Sequence, residues 1–247
     1  MKKIKENIIR IAHQANEGHI PSAFSILDLV VVLYEKGLVN EKKENRFILS
    51  KGHGSLALYS VLAKYNVFDS KELFSFGRYN SNFGGHPDRT KLNSVEASTG
   101  SLGHGFPIAV GMAIGEKIKK TNHKIYVIIG DGEANEGTIW ESALLASHHK
   151  LNNLYCIVDF NHSTDRALEL GDLEAKFIAF GWKTICINGH DHQEIRQAYL
   201  HSETDKPVVI IAETIKGYGC KIMENNPEWH HKSPTVDELE FLINDLY

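Results

Sequence analysis

From residue 125 onward, four apolar runs, "IYVII", "LYCIVDF", "KTICI" and "VVIIAET", alternate with stretches of helical character near 138–150, 172–180 and 191–201. Strands that are apolar on both faces have to be covered on both faces, as in a parallel sheet layered between helices. The expected fold class is therefore α/β, a doubly wound, mostly parallel sheet. Upstream, residues 2–16 and 23–36 have amphipathic helical spacing, and the Gly and Pro of "EGHIPS" are expected to break the pattern between them. "RFILS" is expected to be a short strand, "SLALYSVLAKYN" and "FPIAVGMAIGEKIKK" helices, 69–98 a long loop containing a small helix, and "VDELEFLINDLY" a terminal helix. With 247 residues and no internal linker or repeat, one domain over 1–247 accounts for the chain.

Composition narrows the function classes. A formal charge of −4 argues against a nucleic-acid surface, and no apolar run reaches the roughly 18 residues of a membrane span. Neither a nucleic-acid nor a membrane partner is expected, and the cytoplasm is the default location. Cys156, Cys186 and Cys220 are far apart in apolar runs, so buried free thiols are expected rather than a disulfide or a zinc site. Fourteen histidines are many for this length. The "HH" at 148–149 suits the last turn of a helix, and His13, His123 and His201 have no distinguishing neighbours. The more informative histidines stand beside glycines.

The run "GDGEANEG" at 130–137 places Asp131 just past the end of one strand, and Asn161 follows the next strand 30 residues later. One βαβ unit brings both side chains to the same sheet edge, where open parallel sheets bind ligands. Asp and Asn oxygens are hard donors, suited to a Mg²⁺ that takes its other ligands from a diphosphate and water, and glycines let backbone amides approach an anion. Gly-Asp-Gly alone is also a common turn. Thr138 with Glu141 three residues later has the pattern of a capping box opening the next helix.

"GDGEANEG" followed by "ESALLASHHKLNNLYCIVDFN" resembles the thiamine diphosphate motif, which begins with Gly-Asp-Gly and ends in Asn. Together with "GHI", "LSKGHG", "GGHPD", "STGSLGHG", "KGYG" and "MENNPEWH", it resembles the transketolases over nearly the whole chain. The resemblance implies thiamine diphosphate and Mg²⁺ as cofactors, with Ca²⁺ or Mn²⁺ able to substitute. It implies Asp131, Asn161 and the main-chain carbonyl of Ser163 as metal ligands, and Gly132 and Asn161 against the diphosphate. His53, Gly100, Ser101 and Leu102 match cofactor contacts. His19, His86 and His230 match catalytic histidines of the substrate channel, His230 also lying near the diphosphate. Glu136 matches an acid at the interface between cofactor domains. Histidines suit a reaction whose hydroxyl groups exchange protons near neutral pH. Glu133, His104 and His162 receive no role, and His231 is expected to be structural.

A full-length transketolase continues into pyrimidine-binding and C-terminal domains, which the resemblance does not find in this chain. The expected assembly is a two-chain enzyme, a heterotetramer of two copies each of this chain and a C-terminal transketolase subunit. It would transfer a two-carbon ketol unit from a ketose or ketose phosphate to an aldose, so small sugars or sugar phosphates are the expected substrates. "GHIPSAFS", the shortened segment after Asn161 and His104 in "GSLGHG" depart from the family pattern and leave the sugar open. The alternatives are another thiamine diphosphate enzyme subunit, either a decarboxylating ketol synthase or a 2-oxo acid dehydrogenase component, and a non-catalytic cofactor-binding scaffold.

Overall fold

A computed structural model describes residues 1–35, 37–39, 44–165 and 167–247. Its strands are β1 (Arg46–Leu49), β2 (Ile125–Gly130), β3 (Leu154–Phe160), β4 (Lys183–Asn188) and β5 (Val208–Glu213). They form one sheet in the order β1-β2-β3-β5-β4, with every neighbouring pair parallel. Alternate residues along the strands enter two different cores. Tyr126, Ile128, Tyr155, Ile157, Val208 and Ile210 face one; Ile125, Val127, Cys156, Val158, Val209 and Ile211 face the other. This double burial is the physical reason the strands lack polar alternation.

The first core is closed by α1 (Lys2–Ala15), α2 (Ile20–Glu35), α3 (Ser55–Lys64), α7 (His192–Leu200) and α8 (Val236–Asp245). The second is closed by α4 (Gly105–Ile118), α5 (Gly137–His148) and α6 (Leu173–Ala179). From β1 to β3 the chain steps in one direction, and α6 carries it past the position of β5 to β4. The return through α7 runs the other way, and a right-handed crossover then places that helix on the opposite face.

The sequence expectation differs from the structure in three places. Pro21 does not separate two helices but lies in the first turn of α2, where its missing N–H is harmless; the expected end of that helix at 36 lies outside the described residues. Thr138 is not an N-cap. Glu136 holds that position, and the Thr138 hydroxyl donates to Gly103 O at 2.8 Å, tying α5 to the loop before α4. Cys186 is exposed while Cys156 and Cys220 are buried, because β4 is the edge strand and only part of it is covered. The small helix of the long loop is a 3-10 turn at Ser70–Ser75.

The connections leaving β3 and β5 part to opposite faces of the sheet. The first goes to α6. The second crosses α2, where Gly217 N donates to Pro21 O at 3.0 Å, before reaching α8. Divergent loops at adjacent strand ends open a crevice at the carboxyl edge.

Candidate active site

Asp131 follows β2 directly, and its backbone N–H donates to Asp159 O at 3.1 Å. Its carboxylate accepts from Gly132 N at 2.7 Å, Ser163 N at 2.8 Å and the Ser163 hydroxyl at 3.3 Å. The Asn161 side-chain oxygen accepts from the same Ser163 N–H at 3.1 Å, so two oxygens from adjacent strand ends converge on one amide. These Ser163 contacts come from its N–H and hydroxyl and leave its carbonyl, the atom that the resemblance implies as a ligand, out of these hydrogen bonds. Among the described residues, no group of three His, Cys, Asp or Glu converges as a metal-binding set. A hard cation is best matched by the Asp131–Asn161 oxygen pair.

Asn161 is oriented from below. Its amide donates to Asp159 at 3.0 Å and to the Ser25 hydroxyl at 3.1 Å. An ionised carboxylate only accepts, so the NH₂ points at Asp159 and the oxygen at the site. Asp159 is 0 % and Lys51 3 % exposed, and they form a buried ion pair. The carboxylate also accepts from Ser25, at 2.7 Å, and from Thr214. Burial alone would raise the Asp159 pKa, but Lys51 and these donors hold it below the usual carboxylate range.

Above this layer lies a cavity of about 320 Å³ whose wall includes His19, His53, His86, Asp131, Lys216 and His230. His19 is the hub of the histidines, with its ring centroid 5.3 Å from His53, 5.7 Å from His230 and 4.4 Å from His231. Its Nδ1 donates to the His230 carbonyl at 3.1 Å, which fixes the proton there and leaves Nε2 with a lone pair. Burial pushes the His19 pKa down to about 4. Burial, reinforced by the charge on Lys51, pushes His53 down to about 2. Lys216 Nζ lies 3.0 Å from His230 Nδ1, and burial together with Lys51 lowers its amine to about 8.

The wall is shaped for an anionic group. A Cβ on Gly132 would come within 2.5 Å of Thr164 Cγ2, so only glycine keeps this approach open. On the same wall the Thr164 hydroxyl is buried and has no hydrogen-bond partner among the described residues. An unpartnered hydroxyl beside a lysine amine and a glycine-opened backbone fits a phosphate group. Glu133, unassigned from the sequence, is structural: its carboxylate accepts from the Ser50 hydroxyl, from Gly103 N at 2.9 Å and from Gly130 N at 3.2 Å, joining three loops.

Nine of the sequence-expected residues, His19, His53, His86, Gly100, Leu102, Asp131, Gly132, Ser163 and His230, line this cavity. Asn161 lines an adjoining one of about 300 Å³ that shares Ser163, Lys216 and His230. Ser101 and Glu136 are exposed and on neither wall. His162 bridges Asp165 and Glu213 at 2.9 and 3.1 Å, and His104 Nδ1 donates to Leu102 O at 3.1 Å. Sequence reasoning missed Lys51, Asp159, Thr164 and Lys216. The signals were an acid closing an otherwise apolar strand and lysines next to the glycines of "SKGHG" and "IKGYG".

The family described as transketolase, thiamine diphosphate binding domain, matches residues 2–243. The chain belongs to this family. Individual transketolases are similar over the same span. The chain is 36% identical to one component of the apulose-4-phosphate transketolase of Actinobacillus succinogenes, covering 99% of this chain and 94% of that one. It is 32% identical to human transketolase, covering 99% of this chain but 41% of the human protein. The crystal structure of Campylobacter jejuni transketolase superposes with a TM-score of 0.85 at 30% identity, over 93% of this chain and 39% of that one. The transketolase family match thus makes the described carboxyl-edge crevice part of a thiamine diphosphate-binding domain.

Proposed function

We propose that this chain is the diphosphate-binding subunit of a two-chain, Mg²⁺-dependent transketolase that moves a two-carbon ketol unit from a ketose or ketose phosphate to an aldose. The observation that carries the reading is the convergence of the Asp131 carboxylate and the Asn161 amide oxygen beneath a histidine-lined cavity. Two relatives, each named as one subunit of an apulose-4-phosphate transketolase, match this chain over 92% and 94% of their lengths, which supports a C-terminal partner chain. A heterotetramer of two copies of each chain, with Glu136 at the contact between cofactor domains, is the assembly we favour.

Asp131 and Asn161 would hold the cation, Ser163 helping through its backbone, and Gly132, Thr164, Lys216 and His230 would hold the diphosphate. Thiamine diphosphate, when bound, supplies an electron sink for the two-carbon unit. His53, Gly100, Ser101 and Leu102 would contact its remainder. The chain's own contribution to proton traffic centres on His19 and His53, which burial holds uncharged at neutral pH. With its Nδ1 proton committed to the His230 carbonyl, His19 can accept a substrate hydroxyl proton at Nε2. His86 and His230 would orient the same hydroxyls.

Calorimetric titration of thiamine diphosphate with Mg²⁺ into the two-chain complex tests this. The wild type should bind and Asp131→Ala should lose the Mg²⁺-dependent part of the affinity; equal affinities would remove the metal assignment. Release of carbon dioxide from a 2-oxo acid, without ketol transfer between sugars, would overturn the reaction class.

A further inference from the structure

Lys216 owes its place to a loop that is gripped on both sides by one histidine. His190 lies in the turn after β4, and its Nε2 accepts from the backbone N–H of Ile215, the residue before the lysine, at 2.9 Å. Two residues after the lysine, the Tyr218 ring stacks on the His190 ring at a centroid distance of 3.6 Å. The other ring nitrogen, Nδ1, donates to the buried carboxylate of Asp28 on α2 at 2.9 Å. Because an amide N–H can only donate, the tautomer with its proton on Nδ1 is the one that satisfies both partners. The turn is pressed closely against the loop. Gly189 N donates to Glu213 O at 2.7 Å, and a Cβ on Gly189 would come within 2.3 Å of Thr214 Cγ2. The second carboxylate oxygen of Asp28 is taken by His192 Nε2 at 2.8 Å. No bond joins His192 to Ile215.

We propose that His190, oriented by Asp28, is a positioning residue for Lys216: it fixes the backbone on either side of the lysine and so aims its amine at the diphosphate end of the cavity. The inference rests on the cofactor reading given above, but its geometry belongs to this chain alone. Hydrogen-bonded partners behind a binding group commonly change affinity by about 10-fold or more when removed, since they set the orientation of the group in contact.

The test compares His190→Ala, His190→Gln and His192→Ala in the two-chain complex. Calorimetry with thiamine diphosphate and saturating Mg²⁺ should show about tenfold weaker binding for His190→Ala. His190→Gln, whose amide oxygen can reach the Ile215 N–H, should recover part of the loss. His192→Ala, which removes a comparable bond to Asp28 without touching the loop, should bind as the wild type does. A second readout needs no cofactor. NMR titration of ¹³C-methylated lysines, with Lys216 assigned by Lys216→Arg, should find its amine moved up toward an ordinary lysine value in His190→Ala only. Equal affinities and equal Lys216 titrations in His190→Ala and His192→Ala overturn the proposal. If the wild type binds no thiamine diphosphate, the cofactor reading fails, and the lysine titration alone decides the positioning role. Should His190→Ala not fold, His190→Gln against His192→Ala carries the same comparison: a result indistinguishable from His192→Ala in both readouts overturns it.

Discussion

Asp159 accepts from Asn161 at 3.0 Å through the same carboxylate oxygen that pairs with Lys51, so one buried oxygen orients a candidate metal ligand and neutralises a buried cation. Removing it should be felt twice. Asp159→Ala leaves the Lys51 ammonium uncompensated and should destabilise the fold by about 3–5 kcal/mol, measured by urea unfolding. Replacing both members, Lys51→Met with Asp159→Leu, should recover much of that stability while leaving cofactor binding impaired, because Asn161 has lost its orienting acceptor. The sign of the pH dependence follows from the depressed Asp159 pKa. Its contribution is fully present above the unfolded value of about 3.9 and is lost as pH falls through the folded value, so Asp159→Asn should show a shallower acid limb.

The orphaned hydroxyl of Thr164 gives an opposite pair of effects. Thr164→Val removes a buried polar atom that has no partner among the described residues, so stability without cofactor should be unchanged or higher by about 1 kcal/mol. The stabilisation gained on adding thiamine diphosphate and Mg²⁺ should shrink. Thermal unfolding with and without cofactor reads both, and an undiminished cofactor shift would show that the hydroxyl does not meet the diphosphate.

His19 and His53 impose a pH limit of their own. Their folded values are depressed to about 4 and about 2, below the roughly 6.5 of an unfolded histidine. Between these values the unfolded chain binds more protons, so stability falls as pH drops below about 6.5 and stops falling only when the folded groups protonate. The urea midpoint of the wild type should therefore decline from pH 7 to pH 5. His53→Asn should flatten that decline.

Glu133→Gln should cost about 1–3 kcal/mol, because an NH₂ would replace one acceptor oxygen facing backbone or hydroxyl donors. Denaturant unfolding checks it. Loss of stability without a change in the metal dependence of cofactor binding would confirm the carboxylate as a joint between loops rather than a ligand.

The layered sheet was legible because double burial leaves a direct mark on composition: every residue of β2 is apolar or glycine. Asp131 and Asn161 were legible because each follows the end of an apolar strand. What escaped was carried by partners distant in sequence. Lys51 and Asp159 are 108 positions apart, and neither looks buried until the other is placed beside it. Thr138 misled for a related reason. Its local pattern is that of a capping box, but the helix already opens at Gly137, and the hydroxyl donates to the Gly103 carbonyl of another loop. Cys186 shows the converse error, since an apolar run cannot reveal whether its strand has a neighbour on both sides. His231, expected to be structural, has its ring centroid 4.4 Å from that of His19 and does not line the cavity itself.

The polar floor of the site draws Ser25, Lys51, Asp159 and Thr214 from four well-separated stretches of chain. No fragment ending before Thr214 contains that floor. A chain cut short of that residue would keep Asp131 and Asn161 yet lack one of the donors that hold Asp159 beneath them, so the candidate site is a product of long-range closure and not of its motif alone.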